Sequence, residues 1–96
     1  MIEFHELALA EARQAQRWYA DRSQRVALRF RRQLDKAIAR VAESPERFPK
    51  LSERFPYARI FGFPYIVVYS RRDDENLLVL AIAHTSRPTG YWSDRA

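Results

Sequence analysis

The sequence predicts an α+β fold of order β-α-α-β-β-β, a helical hairpin packed on one face of a small, mainly antiparallel sheet. Three observations predict it. Apolar residues recur at helical spacing from Ala8 to Val41. Pro45, Pro49 and Pro56 then interrupt any regular element. Two dense apolar runs, Tyr65 to Arg71 and Leu77 to His84, follow on either side of a polar turn. With 96 residues the chain reads as one domain over 1–96, with no room for a second core.

Met1 to His5 alternates Ile2 and Phe4 against Glu3 and His5, the pattern of a short strand with one buried face. From Glu6 to Asp21 the period changes. Ala8, Ala12, Ala15 and Tyr19 form one narrow apolar stripe, and the small alanines let another element pack closely. Asp21-Arg22-Ser23 breaks the helix, with Ser23 suited to cap the next one. The second helix, Gln24 to Glu43, carries Val26, Phe30, Leu34, Ala37, Ile38 and Val41 on one face. Arg25, Arg29, Arg32, Lys36 and Arg40 mark the solvated side, and Ser44-Pro45 ends the helix. So short a break between the helices implies an antiparallel hairpin.

Residues 44 to 56 read as a loop pinned to the core by Phe48, Leu51 and Phe55. Strands follow at Tyr57 to Phe61, Tyr65 to Arg71 and Leu77 to His84. Gly62-Phe63-Pro64 joins the first two tightly, and Asp73-Asp74-Glu75-Asn76 is a polar hairpin turn between the others.

The net charge is +5, and of 17 basic residues only Lys36 and Lys50 are lysines. Arginine makes planar, bidentate contacts with phosphates and carboxylates, so such a surface suits RNA, DNA or an acidic protein segment. An arginine-rich genome composition gives the same count, with the side chains simply solvating helix faces. The absence of cysteine excludes disulfides and thiolate metal sites and fits a reducing cytoplasm. No stretch approaches the ~18 apolar residues of a membrane span, and the start has no signal-peptide pattern. There is no P-loop, no dinucleotide glycine pattern and no metal-ligand spacing, so neither a metal nor another cofactor is expected.

Chemistry-bearing residues gather near the end. His84 closes an otherwise apolar strand, where it can do acid–base work or contact phosphate. Equally, its ring can order the following turn through a backbone carbonyl. Arg87 can clamp a phosphate or an acidic partner, or pair with a carboxylate of its own surface. Tyr91 and Trp92 follow Gly90, where the chain can bend. Aromatics beside arginines suit base stacking, and they also suit docking of a C-terminal segment, which is the stronger reading for Trp92. Alternation sets Tyr57, Arg59 and Phe61 against Ala58 and Ile60. The sheet face away from the helices is therefore expected to carry Arg59, with Tyr65 and Tyr69, as an open surface for a partner.

Several of these segments together resemble the RelE/ParE toxin superfamily of type II toxin–antitoxin systems. They are Pro45-Glu46-Arg47-Phe48-Pro49, the Arg59 strand, Phe63-Pro64-Tyr65-Ile66-Val67-Val68-Tyr69, Ala81-Ile82-Ala83-His84 and Arg87-Pro88-Thr89-Gly90-Tyr91-Trp92. The resemblance covers nearly the whole chain, and the last segments look like plasmid-stabilisation toxins. It implies a growth-inhibiting toxin neutralised by a cognate antitoxin whose acidic side chains meet the arginine-rich surface. RelE-like members cleave mRNA on the ribosome with basic residues and an aromatic stacker; ParE-like members inhibit DNA gyrase. Carried over by position, a ribonuclease site would use Arg59, His84, Arg87 and Tyr91. Arg59, Tyr65, Tyr69, Arg71 and Trp92 are the expected antitoxin- or target-binding residues. Both lysines lie before the last three strands, a departure from the lysine-based RelE arrangement. The resemblance therefore implies a ParE-like toxin acting on gyrase, with a RelE-like endoribonuclease as the alternative and a diverged, non-toxic binding module as a third.

Overall fold

The spacing of small residues sets how closely the first helix approaches the sheet. The computed structural model describes residues 1–96. Its elements are β1 (Ile2–Phe4), α1 (Glu6–Ala20), α2 (Gln24–Glu43), β2 (Tyr57–Arg59), β3 (Tyr65–Arg71) and β4 (Leu77–His84), with single 3₁₀ turns at Pro45–Arg47 and Ser93–Arg95. Ala8 and Ala15 of α1 are buried, and Ala12 and Tyr19 pack beside them on the core. The expected stripe of α2 also turns inward, with Phe30, Leu34, Ala37 and Val41 buried. Burying Phe30, Leu34 and Val41 stabilises the fold by about 1.5–3 kcal/mol each.

Capping fixes both helix starts. Ser23 Oγ accepts the Val26 N–H at 3.3 Å, which satisfies one of the free N–H groups at the start of α2. At α1 the cap is His5, whose Nδ1 accepts the Leu7 N–H at 3.1 Å.

The sheet order is β1-β4-β3-β2. β2–β3 and β3–β4 are antiparallel, whereas β1 runs parallel to β4 at residues 77–79. The β3–β4 turn is held by the Asp73 carboxylate, which accepts from Glu75 N at 2.9 Å and Asn76 N at 3.0 Å. That hydrogen bonding, led by the Asn76 side chain, holds the Asp73 carboxyl below its ordinary value.

Two apolar layers result. The helix side buries Ala58, Ile60, Val67, Tyr69, Val79 and Ile82; the other side buries Phe55, Val68, Leu78, Leu80, Ala83 and Trp92. In β4 the alternation slips. Val68 pairs with Ala81 but Tyr69 pairs with Val79, so Leu80 has no partner opposite and points to the same side as Ala81. The second face is therefore covered by the 48–56 loop and the C-terminal segment, not open as expected. Leu51 and Phe55 do pin the loop, and Phe48 does so from the helix side.

Arg40 departs from the expected solvated side of α2. Its Nη2 donates to the Arg59 carbonyl at 2.7 Å, and its guanidinium sits 4.3 Å from the Phe61 ring centre. The helix thus blunts the free edge of β2.

Candidate functional site

β4 ends beside the start of β3, so His84 and Tyr65 face each other across the ladder. Their rings meet edge-on, with centres 5.1 Å apart. Past this point the chain closes a tight turn: Thr85 N donates to the Pro64 carbonyl at 2.9 Å, and Arg87 N to the His84 carbonyl at 3.0 Å. Ser86 N donates to His84 Nδ1 at 3.0 Å, with Ser86 Oγ 2.7 Å from the same nitrogen. A nitrogen that accepts a backbone N–H carries no proton itself. The neutral ring is therefore the tautomer with its proton on Nε2, and it offers a donor outward. His84 does order the turn, but by accepting an N–H and not by donating to a carbonyl.

Gly90 adopts φ +94°, the left-handed conformation that glycine alone takes without strain, and bends the chain back onto the sheet. Trp92 then docks fully, 2% exposed, edge-on to Phe55 with ring centres 6.1 Å apart. Its Nε1 is buried without a hydrogen-bond acceptor, which costs about 1–3 kcal/mol.

A residue that sequence reading passed over organises this end. Glu11 of α1 accepts from Ile82 N at 3.0 Å, Tyr91 Oη at 2.8 Å, Arg95 Nη1 at 3.0 Å and Nη2 at 3.2 Å, and Arg87 Nη1 at 3.4 Å. Arg95 Nη1 also donates to the Leu80 carbonyl at 2.9 Å. The Arg87 guanidinium lies over Tyr91, 3.7 Å from its ring centre. Burial, and then the Glu11 carboxylate, push the Tyr91 hydroxyl up to about 12.

Two grooves meet at His84. One, about 550 Å³, is lined by Tyr57, Arg59, Phe61, Arg87, Thr89 and Trp92 among others. The second, about 420 Å³, runs between α1 and β4 past Gln14 and Trp18; Tyr65, His84 and Arg87 line both. Arg59, His84 and Arg87 are thus brought together, with Tyr91 beneath Arg87.

Of the remaining candidates Tyr65 lines both grooves from the helix side, whereas Tyr69 and Arg71 lie away from them. Register sets Arg59 opposite Ile66 and Tyr57 opposite Val68, so Tyr65 and Tyr69 belong to the other face. Tyr69 is completely buried among the helices, and its hydroxyl donates to the Pro45 carbonyl at 2.6 Å. Tyr65 is half-buried on the same side, its ring 5.5 Å from Phe30 centre to centre. Arg71 is exposed but pairs with Leu77 at the far end of β3, about 20 Å from Tyr65 at the usual strand rise.

No curated protein matches the chain. Residues 2–88 match the family described as "ParE toxin of type II toxin-antitoxin system, parDE". The matched residues span both helices and all four strands, and the chain belongs to the ParE toxin family of type II toxin–antitoxin systems.

Proposed function

We propose that this chain is a cytoplasmic, ParE-like toxin that arrests growth by acting on DNA gyrase without catalysing a reaction, and that a cognate antitoxin neutralises it. The observation that carries this reading is the bond from Ser86 N to His84 Nδ1. Ribonuclease chemistry needs a base with a free lone pair to take the 2′-hydroxyl proton. In the neutral ring of His84 one nitrogen is occupied by Ser86 and the other bears the proton.

Tyr91 adds to the argument. Its hydroxyl is committed to Glu11 and its proton is held until about 12, far from the range that suits proton transfer at neutral pH. No lysine lies on β2, β3 or β4 to take over.

One observation favours a RelE-like endoribonuclease instead: Arg59, His84 and Arg87 line a single groove, as stabilisation of a charged phosphorane would require. Purified protein assayed for gyrase supercoiling and for mRNA cleavage on translating ribosomes separates the two. Supercoiling inhibition without cleavage is expected, and His84→Ala should retain it. Codon-positioned cuts that vanish in His84→Ala, with gyrase untouched, would overturn the gyrase reading. Expression in a bacterial host should stop growth, and co-expression of the neighbouring gene should restore it. Normal growth at high levels of folded protein would mark the chain as a non-toxic binding module.

A further inference from the structure

We propose that the outward face of α2 binds the phosphate backbone of duplex DNA through Arg25, Arg29, Arg32 and Lys36. The choice of DNA rests on the gyrase reading, because an inhibitor of that enzyme meets its target on duplex DNA. The surface itself belongs to a different element from the grooves at His84.

The charge of the chain is concentrated on this one helix. α2 holds six basic residues and two acidic ones, four of the five net positive charges of the molecule. α1 holds two of each sign. An arginine-rich composition alone would load both helices alike. Helical periodicity sets Arg25, Arg29, Arg32 and Lys36 on one stripe, turned away from the buried Phe30, Leu34 and Ala37. All four are exposed, and none takes part in an ion pair. Asp35 stands on the flank, with both carboxylate oxygens within 3.3 Å of Arg31 Nε. Arg40 continues the stripe but is held on the Arg59 carbonyl, so it is not counted among the ligands.

The arrangement works against the helix that carries it. Like charges three or four residues apart repel, and Arg25–Arg29, Arg29–Arg32 and Arg32–Lys36 are such pairs. The first turn of α2 has no acidic residue and carries Arg25, where the helix dipole is positive. α1 follows the favourable rule, with Glu6 in its first turn and Arg17 in its last. A row of cations that the fold leaves unpaired, and that weakens its own helix, is relieved by an external anion.

Spacing and neighbours select that anion. Arg25 to Lys36 covers about 17 Å of helix axis, a length over which one DNA strand presents about five phosphates. The guanidinium fork matches phosphate oxygens in geometry as well as charge. A single strand would need aromatic platforms for its bases, and the only large apolar side chain exposed on α2 is Leu28. A protein partner would anchor through apolar contacts at the centre of its interface, which the stripe does not offer. A membrane surface would need the apolar face of α2, and that face lies in the core.

Fluorescence anisotropy of a labelled DNA duplex of roughly 20 base pairs, over about 50–200 mM salt, tests the surface. Four phosphate contacts give a log–log slope of about −3.6, roughly a hundredfold loss of affinity over that range. Arg29→Gln combined with Arg32→Gln should flatten the slope by about 2. Arg54→Gln combined with Arg72→Gln, which removes two exposed charges from other elements, should leave it unchanged. Equal losses in the two double variants would show that only net charge is felt and would overturn the proposal. Tighter binding to an RNA duplex or to polyglutamate of equal charge would do the same, as would no binding at low salt. Arg25→Gln supplies a second measurement: it should raise the melting temperature in DNA-free, low-salt buffer. A fall would show that the stripe serves the fold, and the case for an external anion would be lost. Neither measurement contains gyrase, so failure here is distinct from failure of the gyrase reading.

Discussion

The Glu11 carboxylate accepts the Ile82 N–H at 3.0 Å at the point where β4 has run past the end of β1. β1 pairs with β4 only as far as Val79, and an unpaired buried N–H or carbonyl costs about as much as a lost hydrogen bond. Two side chains take the place of the missing strand: Glu11 accepts from Ile82, and Arg95 donates to the Leu80 carbonyl. The same carboxylate thereby ties the C-terminal turn, Tyr91 and Arg87 to the first helix.

Glu11→Ala should therefore destabilise more than any exposed charge change. Its side chain is 12% exposed and that of Arg95 10%, so the penalty for breaking a buried pair applies, about 3–5 kcal/mol. Glu11→Gln keeps an acceptor for Ile82 and should lose only about 1–2 kcal/mol. Urea denaturation of both variants measures this. Losses under about 0.5 kcal/mol in both, the range of ordinary surface substitutions, would show that the carboxylate does not hold the edge.

Alkaline titration should single out two tyrosines. Tyr69 and Tyr91 are both pushed up to about 12, chiefly by burial. The sign follows from linkage: between about pH 10 and 12 the unfolded chain has released these protons and the folded chain retains them. Their contribution to stability is complete below pH 10 and is lost as pH rises through 12. Tyrosinate absorbance should show two late-titrating groups in the folded protein, and Tyr91→Phe should leave one. Both titrating near 10 before unfolding would refute the burial argument.

Local pattern made the secondary elements legible, whereas the faces of β4 were hidden. The α2 stripe and the Asp73–Asn76 turn follow from spacing and composition alone. β4 is apolar from Leu77 to Ala83, so alternation says nothing about which side each residue takes, and the slip at Leu80 resets it. Tyr69 went to the wrong face because cross-strand register, not strand sequence, sets Arg59 opposite Ile66. Arg59 and His84 were legible together because each ends a strand at the same end of the sheet, and Arg87 because it follows His84 by three residues. Glu11 was not, since its partners lie 71 to 84 positions away. A signal was nevertheless present: Glu11 stands three residues after Ala8 and four before Ala15, which turns a charge toward the sheet.

The loop from Pro45 to Pro56 should depend on one phenol. Tyr69 Oη donates to the Pro45 carbonyl at 2.6 Å from a fully buried ring. Tyr69→Phe keeps the ring and removes the donor, which should cost about 1–3 kcal/mol. The loss should be concentrated locally, as faster hydrogen exchange or proteolysis across residues 45–56. Uniform acceleration over the whole chain, with the loop no worse than α2, would count against this anchor.

The tautomer of His84 should decide what the ring can do. Because Ser86 N donates to Nδ1 at 3.0 Å, two-bond ¹H–¹⁵N correlation at a pH where the ring is neutral should show a bare Nδ1 and a protonated Nε2. His5 provides an internal comparison, since its Nδ1 likewise accepts a backbone N–H, from Leu7 at 3.1 Å. Both rings should give the same pattern. His84→Gln, which keeps an amide acceptor and donor, should preserve the turn and any binding through the outward donor. Loss of all function in His84→Gln, with the fold intact, would mean that proton transfer is needed. A protonated Nδ1 in the wild type would free Nε2 as a base and make ribonuclease chemistry available to His84.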